Sequence, residues 1–187
     1  MSYLDESIIA IKNESKRLEK LDISHTVEID NELYDFGRRK ILDDLMSLLL
    51  PTSFTDMADN IAAVKYPSQH RPDQILTNES GTINFVFNHL EDFALTKEAL
   101  PELVMKLRAV NKTLNPADVS ISSGELQGVY FFDYRGYGLD ADVYNFCYVL
   151  SINKALLLGG FNCPYDIYKD WKTVVHQIVQ SIEIECM

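Results

Sequence analysis

The sequence predicts an α+β fold in which a mainly antiparallel β-sheet is sandwiched between helices. First, apolar residues recur over residues 165–183 with the spacing of one helix face. Second, strand-like segments between residues 119 and 161 are joined by short connectors. Parallel neighbours need a crossover of about a dozen residues, so these strands should pair antiparallel. Third, another helix is predicted before these strands, and two helices can cover both faces of a sheet.

Residues 1–34 are predicted to form a helix and a polar connector, and residues 35–187 a single domain. The helix has a narrow apolar stripe that Ser15 interrupts, and charged residues fill much of its remaining surface. The stripe consists of Leu4, Ile8, Ile11 and Leu18. We expect this helix to dock on the edge of the domain or on another chain. In the connector, residues 30–32 predict a turn between short extended pieces.

The central part of the chain predicts strands and helices in alternation. Its elements are a strand over residues 45–50 ended by Pro51, a short helix over 57–64, a hairpin with arms 75–77 and 83–88, and a helix from 98–101 to Asn115–Pro116. The alternation of Ile83, Phe85 and Phe87 with polar residues indicates that one face of the second hairpin arm is buried.

The C-terminal part predicts four strands and the clearest helix. The strands are placed at 119–123, 128–135, 141–152 and 155–161, with turns at Gly124, Gly136–Gly138 and Asn153–Lys154. The last helix should pack through Trp171, Val175 and Ile178. Gly159 and Gly160 are expected to let the chain bend off the sheet, since no phosphate-loop motif surrounds them. Aromatic residues over 130–134 should lie under helices, and an exposed aromatic patch there would mark a partner surface.

The charge balance argues against polyanionic partners. The net charge is −11 and the pI is near 4.7. Binding to nucleic acid or to an anionic membrane needs clustered cations. The dense basic run, Arg38–Lys40, is flanked by acidic residues. We therefore expect no nucleic acid and no membrane as a partner.

The cysteines and histidines favour neither a disulfide framework nor a cofactor. Cys147, Cys163 and Cys186 are far apart, and the four histidines have no metal-ligand spacing. We expect no metal and no cofactor. Reduced thiols, a start without a signal-peptide pattern, and the lack of an apolar run of roughly 18 residues lead us to expect a cytoplasmic location.

Two stretches of the sequence resemble the PsbP-like family. One is LLLGGFNCPYDIYKDWKTVVHQIVQSIE, residues 156–183, a leucine-rich strand followed by a helix with one Trp. The other comprises LLLPTSFTDM and KYPSQHRPDQILTNESGTINFVF, residues 48–57 and 65–87. The resemblance covers roughly residues 40–184 and includes no catalytic motif. It implies an antiparallel sheet between helices and an adaptor role, since known members include a photosystem II extrinsic subunit and a Ran-binding nuclear import factor. The sequence shows no transit peptide, which argues against the photosynthetic role, and the resemblance is to the uncharacterised bacterial branch of the family.

Cysteine and aspartate residues supply the candidate enzymatic chemistry. Cys163 precedes Pro164 at the predicted start of the last helix, where a helix dipole lowers a thiol pKa. His176 is too far along that helix to serve as its base, and we expect an ordinary thiol. Asp140 and Asp142 alternate on an extended stretch near Asp133. Paired carboxylates can serve in acid–base hydrolysis or bind a divalent cation. Aspartates are also common at the ends of ordinary hairpins, where they suit turn geometry.

The segment Lys65–Pro72 is the candidate binding site. Its two prolines stiffen it, so it should lose little entropy on binding. Tyr66 and Arg71 are typical interface anchors, although Tyr66 can instead pack locally and Arg71 can pair with a nearby carboxylate. The sequence thus predicts a non-enzymatic protein-binding or adaptor module that contacts another protein through Tyr66 and Arg71. The alternative is a small hydrolase or thiol enzyme that uses Cys163 or the Asp140/Asp142 pair.

Overall fold

A computed structural model describes residues 3–68, 71–93, 95–138 and 140–184, without the side chains of residues 3–7, 10 and 11. Within these ranges the helices are α1 (Tyr3–Lys20), α2 (Asp59–Lys65), α3 (Leu100–Leu114) and α4 (Tyr168–Gln180). The strands are β1 (Val27–Ile29), β2 (Glu32–Tyr34), β3 (Phe36–Ile41), β4 (Met46–Pro51), β5 (Thr55–Asp56), β6 (Gln74–Thr77), β7 (Asn84–Leu90), β8 (Val119–Leu126), β9 (Val129–Tyr137), β10 (Asp142–Ile152), β11 (Ala155–Pro164) and β12 (Glu183–Ile184).

A seven-stranded sheet forms the centre, in the order β5-β6-β7-β11-β10-β9-β8. Each neighbouring pair in it is antiparallel, which confirms the predicted sheet type. A smaller sheet, β12-β4-β3, and the β1-β2 hairpin complete the strands. The hairpin reverses at Asp30 and Asn31, which both have positive φ as a tight two-residue turn requires.

One face of the seven-stranded sheet, the α4 face, carries the main core. Trp171, Val174, Val175 and Ile178 of α4 are all buried against it, as the helical stripe predicted. Aromatic residues of neighbouring strands meet them, and Phe161 of β11 lies 5.3 Å from the Trp171 ring. Strand β4 and the β1-β2 hairpin cover the rest of this face with buried side chains. The hairpin thereby contributes Val27 and Ile29 to the same core as α4.

The opposite face, the α3 face, is covered by two helices. Leu100 and Val104 of α3 pack on Phe132, Val149 and Leu156. Ala62 of α2 packs beside Met57 and Ile75 at the other side of this face. Helices therefore lie on both faces of the sheet, as predicted.

The turn predicted at Gly124 is wrong, and the turn predicted at Gly136–Gly138 occurs slightly later in the chain. Gly124 and Gly136 lie inside β8 and β9. The reversal between β8 and β9 occurs at Gln127 and Gly128, which have φ values of 51° and 85°, and the connection from β9 to β10 begins at Gly138. A two-residue hairpin turn needs positive φ at both central positions, and Gly128 supplies one of them without strain. The presence of a glycine alone therefore does not identify the β8–β9 turn, because Gly124 lies within a strand.

Gly159 and Gly160 also differ from expectation. They do not bend the chain off the sheet but sit in the middle of β11, paired with Tyr148 and Cys147 of β10. A Cβ atom on Gly159 would lie 1.9 Å from Cζ of Tyr148, because the tyrosine ring lies over this position. Gly159 thus makes room for a buried ring. Since β11 continues to Pro164, the last helix starts later than predicted, with a 3-10 turn at Tyr165–Ile167 and then α4.

The close approach of Tyr148 to Gly159 predicts a large cost for Gly159→Ala. We expect a loss of about 3 kcal/mol or more in the free energy of unfolding, measured by urea denaturation, because the buried ring cannot move away. The matched control is Gly37→Ala in β3, whose new Cβ would lie 3.1 Å from a methyl carbon of exposed Thr52. It should cost under about 1 kcal/mol. Adding Tyr148→Leu to Gly159→Ala should recover stability, and equal losses in both glycine variants would contradict this account.

Candidate protein-binding surface

Tyr66 lies at the C-terminal end of α2 and is half-buried. Its N–H donates to the Ala62 carbonyl at 2.8 Å, and its ring packs on the small cluster of Met57, Ala62 and Ile75. The Tyr66 hydroxyl accepts a hydrogen bond from Nδ2 of Asn162 at 3.4 Å, and burial raises its pKa. Arg71 is exposed. Gln69 and His70 of the predicted loop lie outside the described residues.

A row of polar side chains connects Tyr66 to the centre of the sheet. The Thr77 hydroxyl donates to Oδ1 of Asn84 at 2.8 Å, and Nδ2 of Asn84 donates to Oδ1 of Asn162 at 2.8 Å. Asn84 is fully buried, so these bonds offset the cost of burying its amide. Asn162 is directly opposite Asn145 of β10. Tyr66 is therefore fixed at the end of the sheet where β10 begins.

Cys163 is not at a helix start. It lies within β11, opposite Tyr144, and is completely buried. Burial, and to a smaller extent the nearby Asp166 carboxylate, raise the pKa of the Cys163 thiol. The predicted position at the N-terminus of the last helix is wrong because β11 extends through Pro164. A buried thiol with a raised pKa holds little of the thiolate that nucleophilic chemistry requires.

Asp133 is a fully buried carboxylate that several donors surround. Its Oδ1 accepts hydrogen bonds from the N–H and hydroxyl of Ser122 at 2.6 and 2.7 Å. Its Oδ2 accepts the Tyr144 hydroxyl at 2.8 Å and pairs with Nζ of Lys172 at 2.7 Å. These donors occupy both oxygens, so Asp133 ties α4 to three strands.

His176 lies one turn beyond Lys172 on α4 and takes no part in this network. Its ring packs at 5.1 Å from Phe131 and 5.4 Å from Phe146. Burial lowers its pKa, so the neutral imidazole is favoured. Its Nε2 atom is buried and has no hydrogen-bond partner among the described residues. His176 therefore acts as a packing residue.

Asp140 and Asp142 lie in different elements. Asp140 is exposed in the turn before β10, and Asp142 opens that strand, so the expected alternation on one extended stretch is wrong. Asp142 forms an ion pair with Arg135, whose Nε donates to Oδ2 at 2.9 Å. Within the part of the chain that the structure describes, no group of His, Cys, Asp or Glu side chains can hold a metal ion.

Arg135 belongs to a layered arrangement of rings that we call the tyrosine–arginine stack. The Arg135 guanidinium carbon lies 4.9 Å from the ring centre of Tyr137 and 4.5 Å from that of Tyr165. Tyr165 stacks on Tyr168 with a centroid distance of 4.5 Å and an angle of 15°. The stack is Tyr137, Arg135, Tyr165 and Tyr168, in that order. Tyr137 is 51% exposed and forms its outer end.

Local structure explains why these four residues meet. Arg135 and Tyr137 are two residues apart on β9 and so share one face of the strand. Tyr165 and Tyr168 are three residues apart across the 3-10 turn and the start of α4, a spacing that brings side chains together. The sequence signals for this stack were the spacings R-x-Y and Y-x-x-Y. Nothing in the sequence showed that the two pairs would be adjacent.

Comparison with known proteins shows the fold. No protein-family model matches the sequence, and a comparison with curated proteins finds no match. The structure is similar to the solution structure of CyanoP, the cyanobacterial PsbP of Synechocystis sp. PCC 6803, with a TM-score of 0.58. Identity to CyanoP is 14%, over 83% of this chain and 96% of that one. The chain has a PsbP-like fold.

A second similar structure supports the same fold. It is a single-substitution variant of the protein Mog1, with a TM-score of 0.52 and 13% identity over 80% of this chain and 96% of that one. The resemblance predicted from the sequence is thereby confirmed for the fold. Among the described residues, no helix is long and apolar enough to cross a membrane.

The burial of Cys163 predicts slow alkylation. Since burial raises its pKa, the thiol stays protonated at pH 8, and iodoacetamide cannot reach it. We expect labelling of Cys163 in the folded chain to be at least about a hundred-fold slower than in the urea-unfolded chain, measured by peptide mass spectrometry. The unfolded chain is the control. Rapid labelling with an apparent pKa well below about 8.5 would restore the thiol-enzyme hypothesis.

Proposed function

We propose that this protein is a non-enzymatic protein-binding module that uses the tyrosine–arginine stack as its main contact. The observation that carries the proposal is the Arg135 guanidinium held between two tyrosine rings, with Tyr137 half-exposed at the outer end. Tyrosine and arginine are the residue types that most often dominate binding energy at protein interfaces. An exposed aromatic group beside an arginine is therefore a favourable anchor for another protein.

The stack is held in place before any partner binds. Asp142 binds the guanidinium from one side, and the rings of Tyr137 and Tyr165 enclose it. Tyr168 is in turn packed against the buried Tyr144 ring at 5.2 Å. Side chains that are already ordered lose less conformational entropy on binding, so more of their contact energy contributes to affinity.

Tyr66 and Arg71 are proposed as a second contact at the same end of the sheet; Tyr66 packs on the α3 face, whereas the stack lies on the α4 face. Asn162, which binds the Tyr66 hydroxyl, precedes Tyr165 by three residues, so both contacts lie at one end of the sheet. The adaptor role of the PsbP-like proteins agrees with this proposal, although fold alone does not determine function. We further infer a cytoplasmic location, because free cysteines such as Cys147 and Cys163 fit a reducing compartment.

The chemistry of the candidate catalytic groups does not favour an enzyme. Burial raises the pKa of the Cys147 thiol to about 12 and also raises that of Cys163. The Asp133 and Asp142 carboxylates are each paired with a cation, and Asp140 stands apart on an exposed turn. A general acid or nucleophile must reach the substrate, and a nucleophile needs an adjacent base or a lowered pKa to activate it. The binding function is therefore the better supported of the two.

The test is capture of partners by the immobilised chain and by Tyr137→Ala. We expect Tyr137→Ala to reduce the recovery of a specific partner at least about ten-fold, which corresponds to the loss of one interface anchor. The matched control is Phe93→Ala, an equally exposed aromatic residue (47%) beyond the far end of β7. Arg71→Glu tests the second contact. Melting temperatures establish that each variant is folded.

The binding proposal would be contradicted by one clear result. If Tyr137→Ala and Arg71→Glu melt like the unmodified chain and recover the same proteins at the same level, this end of the sheet is not the contact surface. Equal losses for Tyr137→Ala and Phe93→Ala would point to non-specific adsorption through exposed rings.

A further inference from the structure

We propose that the exposed face of the Tyr137 ring receives an arginine side chain from a basic segment of the protein partner. This inference rests on the proposed binding function and specifies the chemistry of the partner. It follows from the position of Tyr137 at the end of the stack and from the carboxylates on the elements that flank it.

The Tyr137 ring is a suitable surface for a second guanidinium. One face of the ring lies against Arg135, at 4.9 Å, and about half of the side chain is exposed to solvent. A guanidinium is planar and weakly hydrated, so it stacks on aromatic faces more readily than an ammonium group does. The other rings of the stack are less available, since Tyr165 and Tyr168 are occupied by each other and by Arg135.

Three carboxylates lie on the elements that flank Tyr137. Asp142 is directly opposite Tyr137 in the β9-β10 pair, Asp140 lies in the turn that joins these strands, and Asp166 follows Tyr165. Asp140 and Asp166 are exposed, and neither forms an ion pair with another described residue. Asp142 is paired with Arg135, and Lys169 is a further cation close enough to act on the Tyr165 hydroxyl. The local balance is therefore negative.

The charge of the whole chain favours the same partner. A net charge of −11 attracts basic segments at long range and repels nucleic acid and other polyanions. At short range, an incoming arginine can stack on Tyr137 and form an ion pair with Asp140. A lysine can form the ion pair but has no planar group to stack on the ring.

The probe is the heptapeptide Gly-Ser-Gly-Arg-Gly-Ser-Gly, acetylated and amidated, titrated into the ¹⁵N-labelled full chain by NMR. We expect amide shifts that saturate at Tyr137, Gly138, Asp140 and Asp142. The same peptide with lysine should bind at least about three-fold more weakly, and with citrulline, which has no charge, it should cause no shift. Tyr137→Phe should keep the binding because the ring is retained, and Tyr137→Ala should lose it.

The chain contains an internal control in the turn at Asp43 and Asp44. Asp43 and Asp44 are both exposed, Asp44 pairs with Lys40, and none of the ring contacts between described residues involves this turn. Shifts of equal size at Asp43 and Asp140 would show general attraction by acidic groups and would overturn the proposal. Equal affinity for the arginine and lysine peptides, or unchanged binding to Tyr137→Ala, would also overturn it.

Failure of this inference is distinguishable from failure of the proposed function. If Tyr137→Ala loses a captured partner but the arginine peptide does not bind at Tyr137, the binding function stands and the arginine assignment is wrong. If the arginine peptide binds at Tyr137 but no captured protein depends on that residue, the arginine site stands and the proposed binding function is wrong.

Discussion

The buried ion pair between Asp133 and Lys172 fixes the arrangement on which the candidate surface depends. Asp133 is fully buried, and removing a charged carboxylate from water is strongly unfavourable unless hydrogen bonds and a counter-ion compensate for the lost hydration. The compensating groups come from three separate elements, namely Ser122 of β8, Tyr144 of β10 and Lys172 of α4. They reach Asp133 together only when α4 lies at one position along the sheet. Arg135 follows Asp133 by two residues on the same face of β9, so the helix that is fixed to Asp133 brings Tyr165 and Tyr168 beside Arg135.

The polar network and the apolar core act on the same helix in different ways. Trp171 lies next to Lys172, is completely buried, and has the Tyr34 ring at 5.0 Å and the Phe161 ring at 5.3 Å. The apolar stripe of α4 supplies most of the stabilisation, because burial of apolar surface is the dominant favourable contribution to folding. Apolar contacts are not directional, so they leave the position of the helix along the sheet less well defined. We infer that the Asp133 network sets that position, a use of buried polar groups that is known from other helical assemblies.

The sequence predicted what depends on local pattern and missed what depends on adjacency in three dimensions. The α4 stripe around Trp171 and the antiparallel strands were predictable, because apolar periodicity and connector length are local properties. The reversal at Gln127–Gly128 was missed because Gly124 is also a glycine and only the strand register distinguishes them. Gly159 was misinterpreted because its role comes from the ring of Tyr148 on another strand. The tyrosine–arginine stack was not predicted, because its two pairs are about thirty residues apart in sequence and meet only when α4 docks.

The most direct test is the NMR signal of the Arg135 Nε–H group in the unmodified chain and in Lys172→Met. Methionine keeps most of the apolar stem of lysine and removes the cation that fixes Asp133. In the unmodified chain we expect this proton to be shifted upfield by the Tyr137 and Tyr165 rings and to exchange slowly, because Asp142 accepts it. In Lys172→Met it should lose the ring shift and exchange faster, while Trp171 fluorescence shows that the core remains folded. An unchanged Arg135 signal in a folded Lys172→Met chain would contradict the claim that the buried ion pair positions the surface.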